Sequence, residues 1–572
     1  MNPLSPLKRF VRLLRSEGES VKRIYIFALF NGLVALSLPL GIQSIISFIQ
    51  TGQITASWIV LVLIVVGGVV LAGWLQVLQL KTSEKIQQRI YAKSALELAY
   101  RLPKIKSEEM YRFYAPELAN RFFDTLTIQK GLSKILIDFT SAVMQIAFGL
   151  LLLSFYHPFF ILLGLLVTFV LYLIIRATFN EGLHTSIEES KIKYQTAHWL
   201  EEVARSVFSF KLSGNSDFHT DKADELSAKY IEARKAHFGV LLKQYWGMIG
   251  FKAILAMSLL LIGGFLVINQ NMNIGQFVAA EIIILLVLNS VEKLILSAET
   301  IYDVLTAFDK IGVITDLELE SKSNDLTGFV CKDKGIEVEL NHVSFSYPGR
   351  SLEVIKDVHF TVESGQKVCI IGENASGKTS LLNIISTLYA PTKGIVKFHG
   401  YHCVDLDLHE IRSHIGSYLE SEDLFEATLY ENISLLRKTV STEDVIDAIN
   451  HVKLNEFVNS DSEGLHKLIK PTGKTLSKSV VQKILLARSI VCKPKVLVIG
   501  NNLNNLSPQD KHEVIDYLCS STHEWTLFFS TNDPYVAAKC DRVIALEKGA
   551  VLADGKFKDL IVNPTIKNIL DA

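Results

Sequence analysis

Gly372-Glu373-Asn374-Ala375-Ser376-Gly377-Lys378-Thr379 spaces its glycines, lysine and hydroxyl as a phosphate-binding loop does. In such a loop successive backbone N–H groups face inward and cradle phosphate oxygens. Lys378 is placed to reach the outer phosphates of a nucleotide, and the Thr379 hydroxyl to coordinate magnesium, with Ser380 completing the run. Ala375 stands where such loops often carry glycine. The chemistry needs a strand to deliver the chain into the turn and a helix to leave it, because the helix start adds unsatisfied N–H groups. Residues 367–371 form an apolar run of strand length, and a helix is expected from about Lys378.

The rest of the chain is much more apolar than a carrier for this loop requires. A length of 572 residues predicts more than one domain, and a mean hydropathy of +0.29 predicts that one of them lies in a membrane. The net charge of −1 gives no reason to expect a nucleic acid partner. All six cysteines (Cys331, Cys369, Cys403, Cys492, Cys519 and Cys540) fall in the second half without metal-ligand spacing, which predicts free thiols in a reducing cytosol.

Between Arg23 and Lys81 there is no Asp, Glu, Lys or Arg, enough chain for two spans of about 20 residues and a turn at 50–55. Asp138 to Arg176 encloses a second such stretch, broken at His157-Pro158, and Lys252 to Glu281 a third, with a turn at 269–273. Three hairpins predict six transmembrane helices. Lys8, Arg9, Arg12, Arg15, Lys22 and Arg23 precede the first span while the hairpin turns carry no formal charge, so both termini are expected in the cytoplasm. Leu4, Leu7, Val11 and Leu14 share a face of a basic segment that reads as an interfacial helix. It is not read as a cleavable signal, since the apolar region is too long and lacks a small-residue cleavage site.

The connections at 81–138 and 177–250 keep helical periodicity, as in Tyr91, Ala95, Leu98 and Leu102. Their turns, near 104–120 and 206–217, are natural docking points for a soluble domain. Glu281, near the outer end of the sixth span, is a candidate for lining a path across the membrane. The charged stretch 316–335 reads as a linker, dividing a membrane domain at 1–315 from a soluble α/β domain at 336–572.

With these parts in place the whole chain resembles an ABC exporter half-transporter. That resemblance implies an all-α six-helix transmembrane domain of ABC exporter type, followed by an α/β P-loop nucleotide-binding domain, with ATP and Mg2+ as ligands. Gly32-Leu-Val-Ala-Leu-Ser-Leu-Pro-Leu-Gly-Ile-Gln43 and Asn273-Ile-Gly-Gln-Phe-Val-Ala-Ala280 look like the transporter of bacterial type I secretion systems. This implies a multi-pass protein of the inner (plasma) membrane, with a periplasmic adaptor and an outer-membrane channel as possible partners. Only about 23 residues precede the first span, so no peptidase-like domain is expected there.

Val343-Ser-Phe-Ser-Tyr-Pro348 looks like the family's aromatic loop, which would stack Tyr347 on adenine. Several other family positions are occupied by unexpected residues. Glu420 stands in place of a glutamine that links the nucleotide to the membrane domain. Leu476-Ser477-Lys478-Ser479-Val480 occupies the signature position, where Leu-Ser-Gly-Gly-Gln would approach the γ-phosphate held by the opposite subunit. Gly500 and Asn501 replace the aspartate that organises magnesium and the glutamate that positions water. Ser507 replaces an aspartate, and Asn532 the switch histidine.

The resemblance therefore implies ATP binding with impaired hydrolysis. A second half-transporter is required, because each ATP is sandwiched between the loop of one domain and the signature of another. It can be an identical or a different chain. Three readings stay open: an exporter subunit whose hydrolysis is slow or supplied by a partner, an ATP-responsive scaffold or regulator that moves nothing, and an ATPase with unconventional residues in which Asp510 or Glu513 serves as the acid.

Overall fold

The computed structural model describes residues 4–51, 56–320, 335–460, 462–500 and 503–571. Contacts divide the chain into two compact units: Met1–Pro103 with Phe113–Leu317, and Lys104–Arg112 with Glu318–Ala572. Most of the expected linker and the tip of the first hairpin lie outside the described residues.

Among the described residues six helices are long and apolar enough to cross a membrane, and they make up most of the first unit: Gly18–Gln50, Ala56–Lys104, Ala115–Tyr156, Phe159–Arg205, Phe218–Ile268 and Ile274–Thr315. Their outward faces carry Leu63, Ile64, Val70, Leu162 and Leu165 fully in the open. Helices apolar on every side are stable where the surroundings are apolar too. The third begins at Ala115, at the turn expected near 104–120, because charged residues beyond the apolar stretch continue the same helix. The first is interrupted at Leu36, between Gly18–Ala35 and Ser37–Thr51. Pro39 explains the break: it has no N–H to offer Ala35, and its ring crowds that carbonyl.

A buried polar node fixes three of these helices together. Gln244 Nε2 donates to Thr178 Oγ1 and to Tyr302 Oη, each at 2.8 Å. Gly182 makes room for the tyrosine, since a Cβ there would lie 2.5 Å from the Tyr302 ring. At the N-terminus, Pro6–Ser16 is the expected amphipathic helix. Its Arg9 bonds Thr315 Oγ1 at 3.0 Å and pairs with Asp316, and Phe10 meets Phe308 edge-on. Leu7 and Val11 stay exposed among Lys8, Arg12 and Arg15, the amphipathic surface an interfacial helix needs.

The second unit is α/β. Strands β1 (Val338–Phe345), β2 (Ile355–Val362), β4 (Lys393–Phe398) and β5 (Tyr401–His402) form an antiparallel sheet in the order β2-β1-β4-β5. Strands β3 (Lys367–Gly372), β6 (Ile415–Tyr418), β9 (Val496–Ile499), β10 (Thr526–Ser530), β11 (Arg542–Glu547) and β12 (Ala550–Gly555) form the main sheet, ordered β12-β11-β3-β10-β9-β6. A small third pair joins β7 (Ala427–Thr428) to β8 (Leu468–Ile469).

All pairings in the main sheet are parallel except β11 with β12. Its inner strands are continuous apolar runs because both faces are covered, one by helices and the other by the helix Lys378–Ile385 together with the antiparallel sheet. Along β3, Val368 and Ile370 enter one core with Leu381 and Ile385, while Cys369 and Ile371 enter the other with Ile484 and Leu485. That alternation clamps β3 in the middle of the sheet and aims its C-terminal end, Gly372, at the crevice where such sheets take ligands.

The segment Lys104–Arg112 belongs to this second unit. Ile105 bridges Leu319 antiparallel, Lys106 N donates to Glu318 O at 3.0 Å, and Glu320 N donates to Lys104 O at 2.8 Å. Arg412 in turn holds Glu320 with two hydrogen bonds of 2.6 and 2.8 Å. Among the described residues Cys369, Cys403, Cys492, Cys519 and Cys540 are free thiols, and Cys331 lies outside them.

Candidate functional site

At the end of β3 the chain turns through Glu373–Ser376 into the helix Lys378–Ile385. Ala375 adopts φ 62°, a left-handed conformation that costs an ordinary residue roughly 1–2 kcal/mol, so this is where the missing glycine is felt. Gly377 has φ 100°, and a Cβ there would lie 2.8 Å from Ile355 Cδ1 and 3.0 Å from Val354 O. Both demands require glycine.

Lys378 Nζ folds back onto its own loop, donating to Gly372 O at 2.5 Å and Glu373 O at 2.8 Å. Burial lowers the pKa of this ammonium. Ser376 is buried, with a relative exposure of 3%, and its hydroxyl finds no hydrogen-bond partner among the described residues. A buried hydroxyl without a partner is costly, and a phosphate oxygen would supply one. Glu373, Asn374 and Thr379 are exposed at the mouth.

Two expected residues join the loop from elsewhere in the chain. Tyr347 Oη shares a 2.9 Å hydrogen bond with Ser380 Oγ, which brings the aromatic loop to the first turn of the helix. Asn532 Oδ1 accepts from Gly372 N at 3.1 Å, so the residue at the switch position touches the loop's first glycine.

The remaining positions lie around this centre. Gly500 N donates to Tyr418 O at 2.8 Å, but a Cβ at Gly500 would meet Leu419 Cδ2 at 2.8 Å and Leu382 Cδ1 at 3.2 Å. Both atoms are the far ends of flexible side chains, which would have to shift to admit a larger residue at 500. Glu420 is exposed just past β6, and Asn501 lies outside the described residues. Ser507 caps the helix Pro508–Leu518 by accepting from Asp510 N at 3.1 Å. Ser477 likewise caps Lys478–Ile490, accepting from Val480 N at 3.3 Å. Hydrogen bonds at 476–480 are local, and Ser477 and Lys478 face solvent, with Leu476, Ser479 and Val480 part-buried.

The acids considered as substitutes are engaged in ion pairs. Lys483 holds Asp510 at 2.8 Å, and Lys453 holds Glu513 at 2.6 Å. Burial alone would raise the Asp510 pKa, but the Lys483 and Ser507 hydrogen bonds outweigh it, so its carboxyl lies below the ordinary value. The Lys453 hydrogen bond lowers Glu513 as well. A carboxylate held this acidic is a poor proton acceptor at neutral pH.

Two sequence regions match known families. Residues 355–502 match the family described as ABC transporter, and residues 24–291 match the ABC transporter transmembrane region. Together they take in both units and most of the chain. The chain belongs to the ABC transporters. Its fold is that of an ABC exporter: it superposes on the structure of a bacterial Atm1-family ABC exporter with ATP bound with a TM-score of 0.81, covering 98% of each chain at 16% identity. Six apolar helices in this family make it a multi-pass membrane protein.

Among curated relatives, the beta-(1→2)glucan export ATP-binding/permease protein NdvA of Bartonella henselae is 24% identical over 302 residues, covering 53% of this chain and 50% of its own length. The alpha-hemolysin translocation ATP-binding protein HlyB of Escherichia coli is 24% identical over 303 residues, covering 53% and 42%. This ABC transporter chain thus spans about half the length of the curated relatives it matches, or less.

Sequence reasoning missed two participants. Tyr111 stacks on Tyr347 with ring centroids 5.1 Å apart. Glu422, two residues beyond Glu420, accepts from Ser417 Oγ at 2.7 Å and Leu419 N at 3.2 Å, and burial raises its pKa. No local pattern marks either residue. Arg488, on the helix Lys478–Ile490, donates to Asn432 O at 2.7 Å and Asp423 O at 3.0 Å and so ties that helix to the segment after Glu420.

Proposed function

We propose that this chain is the ATP-binding membrane subunit of an exporter related to type I secretion transporters, one that holds ATP well and hydrolyses it slowly or with groups supplied by a partner. The observation that carries this reading is a contrast within a few residues. The phosphate loop keeps Lys378 and an unpartnered, buried Ser376 hydroxyl, while Gly500 offers no carboxylate and has the Leu419 and Leu382 side chains against it.

Lys378 would leave the carbonyls of Gly372 and Glu373 for the outer phosphates, and the loop N–H groups and Ser376 would hold the rest. Thr379 would hold magnesium, which neutralises charge on the transferring phosphoryl group. The residues present fit that ion only partly, because Gly500 offers no oxygen. Tyr347 would stack on the base. Asn532 can hydrogen-bond but is no useful base, and Asn501 likewise. Losing positioned acid–base help typically costs 10²–10⁴ in rate, on the order of 3–5 kcal/mol.

The chain would work as a dimer with an identical or different half-transporter, its nucleotide-binding domain and both termini in the cytoplasm of a bacterium. A periplasmic adaptor and outer-membrane channel would follow if the likeness to hemolysin translocators extends to assembly. An ATP-responsive scaffold that transports nothing is the second reading, favoured by the lack of a carboxylate at Gly500.

The test is nucleotide analysis of the purified protein, ATP against ADP, with steady-state phosphate release. Retained ATP with little turnover, lost in Lys378→Ala, is expected. Brisk turnover by this chain alone would overturn the impaired-hydrolysis reading, and undiminished retention in Lys378→Ala would overturn the site.

A further inference from the structure

The nucleobase side of the site is closed by an aromatic cluster assembled from three places in the sequence. Tyr347 lies edge-on to Phe345 at 5.0 Å and to Tyr389 at 5.6 Å, and its hydroxyl is tied to Ser380. Tyr111 lies against its face, with centroids 5.1 Å apart and planes inclined by 23°. Rings at this separation are in direct stacking contact and leave no room for a third ring between them.

Tyr111 is held there by its own segment. It closes the short helix Ser107–Met110, donating its N–H to Ser107 O at 2.9 Å. Glu108 on that helix accepts from Ala390 N at 2.8 Å, next to Tyr389 of the cluster. Lys106 pairs with Glu318 at 2.7 Å. Tyr111 is 42% exposed and belongs to none of the buried clusters, so it can swing away without opening a core.

We propose that Tyr111 and the nucleobase compete for the face of Tyr347, which makes Tyr111 a base-site residue supplied by the segment between the second and third membrane helices. The proposal rests on the reading that this site takes ATP. Binding the triphosphate tail is independent of Tyr111, whereas seating the base displaces it. Base stacking is then linked to the hold on Lys104–Arg112. That segment is continuous with the helices Ala56–Lys104 and Ala115–Tyr156.

The experiment uses the full chain in nanodiscs and two probes, adenylyl imidodiphosphate and inorganic tripolyphosphate, which shares the tail and lacks the base. Tyr111→Ala and Tyr111→Leu remove the competing ring, and Tyr111→Phe keeps it. A stacked aromatic pair of ordinary strength predicts that the first two bind the nucleotide roughly two- to tenfold more tightly than the wild type. Tripolyphosphate binding stays unchanged and Tyr111→Phe matches the wild type.

Unchanged or weaker nucleotide binding in both Tyr111→Ala and Tyr111→Leu would overturn the competition. An equal gain for tripolyphosphate would overturn it too. In either case, wild-type binding that Lys378→Ala abolishes would leave the ATP site itself standing. Absence of binding by the wild type would remove both.

Discussion

At position 500 any side chain would need a Cβ that lies 2.8 Å from Leu419 Cδ2 and 3.2 Å from Leu382 Cδ1, so both leucines must shift to admit one. Overpacking of this kind costs about 1–3 kcal/mol. Gly500→Asp is therefore expected to lower the melting temperature and leave phosphate release unchanged. Adding Leu419→Ala should recover part of the stability, which thermal denaturation and a phosphate assay together would show. Glu422 gives a second residue-level expectation. Burial raises its pKa against the opposing hydrogen bonds from Ser417 and Leu419, so the folded state favours the protonated form. Its contribution to stability is full below the ordinary carboxylate range and is lost as pH rises through the raised value. Glu422→Gln should melt above the wild type at pH 7.5, and the gap should close as pH falls toward 4.5. A gap that widens on acidification would contradict this sign.

Among elements, the helix Lys478–Ile490 is capped by Ser477, whose hydroxyl accepts from Val480 N. Ser477→Ala should cost about 1 kcal/mol in chemical denaturation of the soluble domain's transition. The membrane helices depend on close approaches that no single segment reveals. Gly182→Ala drives a methyl into the Tyr302 ring, a buried group also fixed by Gln244, and should lower the melting temperature of the chain in detergent by the equivalent of about 1–3 kcal/mol. The six spans and the phosphate loop were legible beforehand because each depends on consecutive residues: an uncharged run, or amides in one turn. The stack of Tyr111 on Tyr347 and the leucines at Gly500 join distant parts of the chain and leave no local period or motif. The extension of the third helix back to Ala115 was legible too, in the helical periodicity of 81–138 and the turn expected near 104–120.

For the whole molecule, the second long excursion ends in a short helix, Val207–Leu212, whose Phe208 and Leu212 are 75% and 87% exposed. Large apolar side chains presented at a loop tip fit a contact with a second chain. Phe208→Ser with Leu212→Ser should reduce the dimeric fraction seen by light scattering in detergent while leaving the melting temperature nearly unchanged. The first excursion is used differently: nine residues, Lys104–Arg112, count structurally with the nucleotide-binding unit. Anyone excising that unit as a contiguous fragment from about residue 318 would amputate part of it. The orphaned fragment should show a bare tyrosine face, an unmet amide at Ala390 and a tendency to precipitate, and a synthetic peptide copying 104–112 should act as its missing patch.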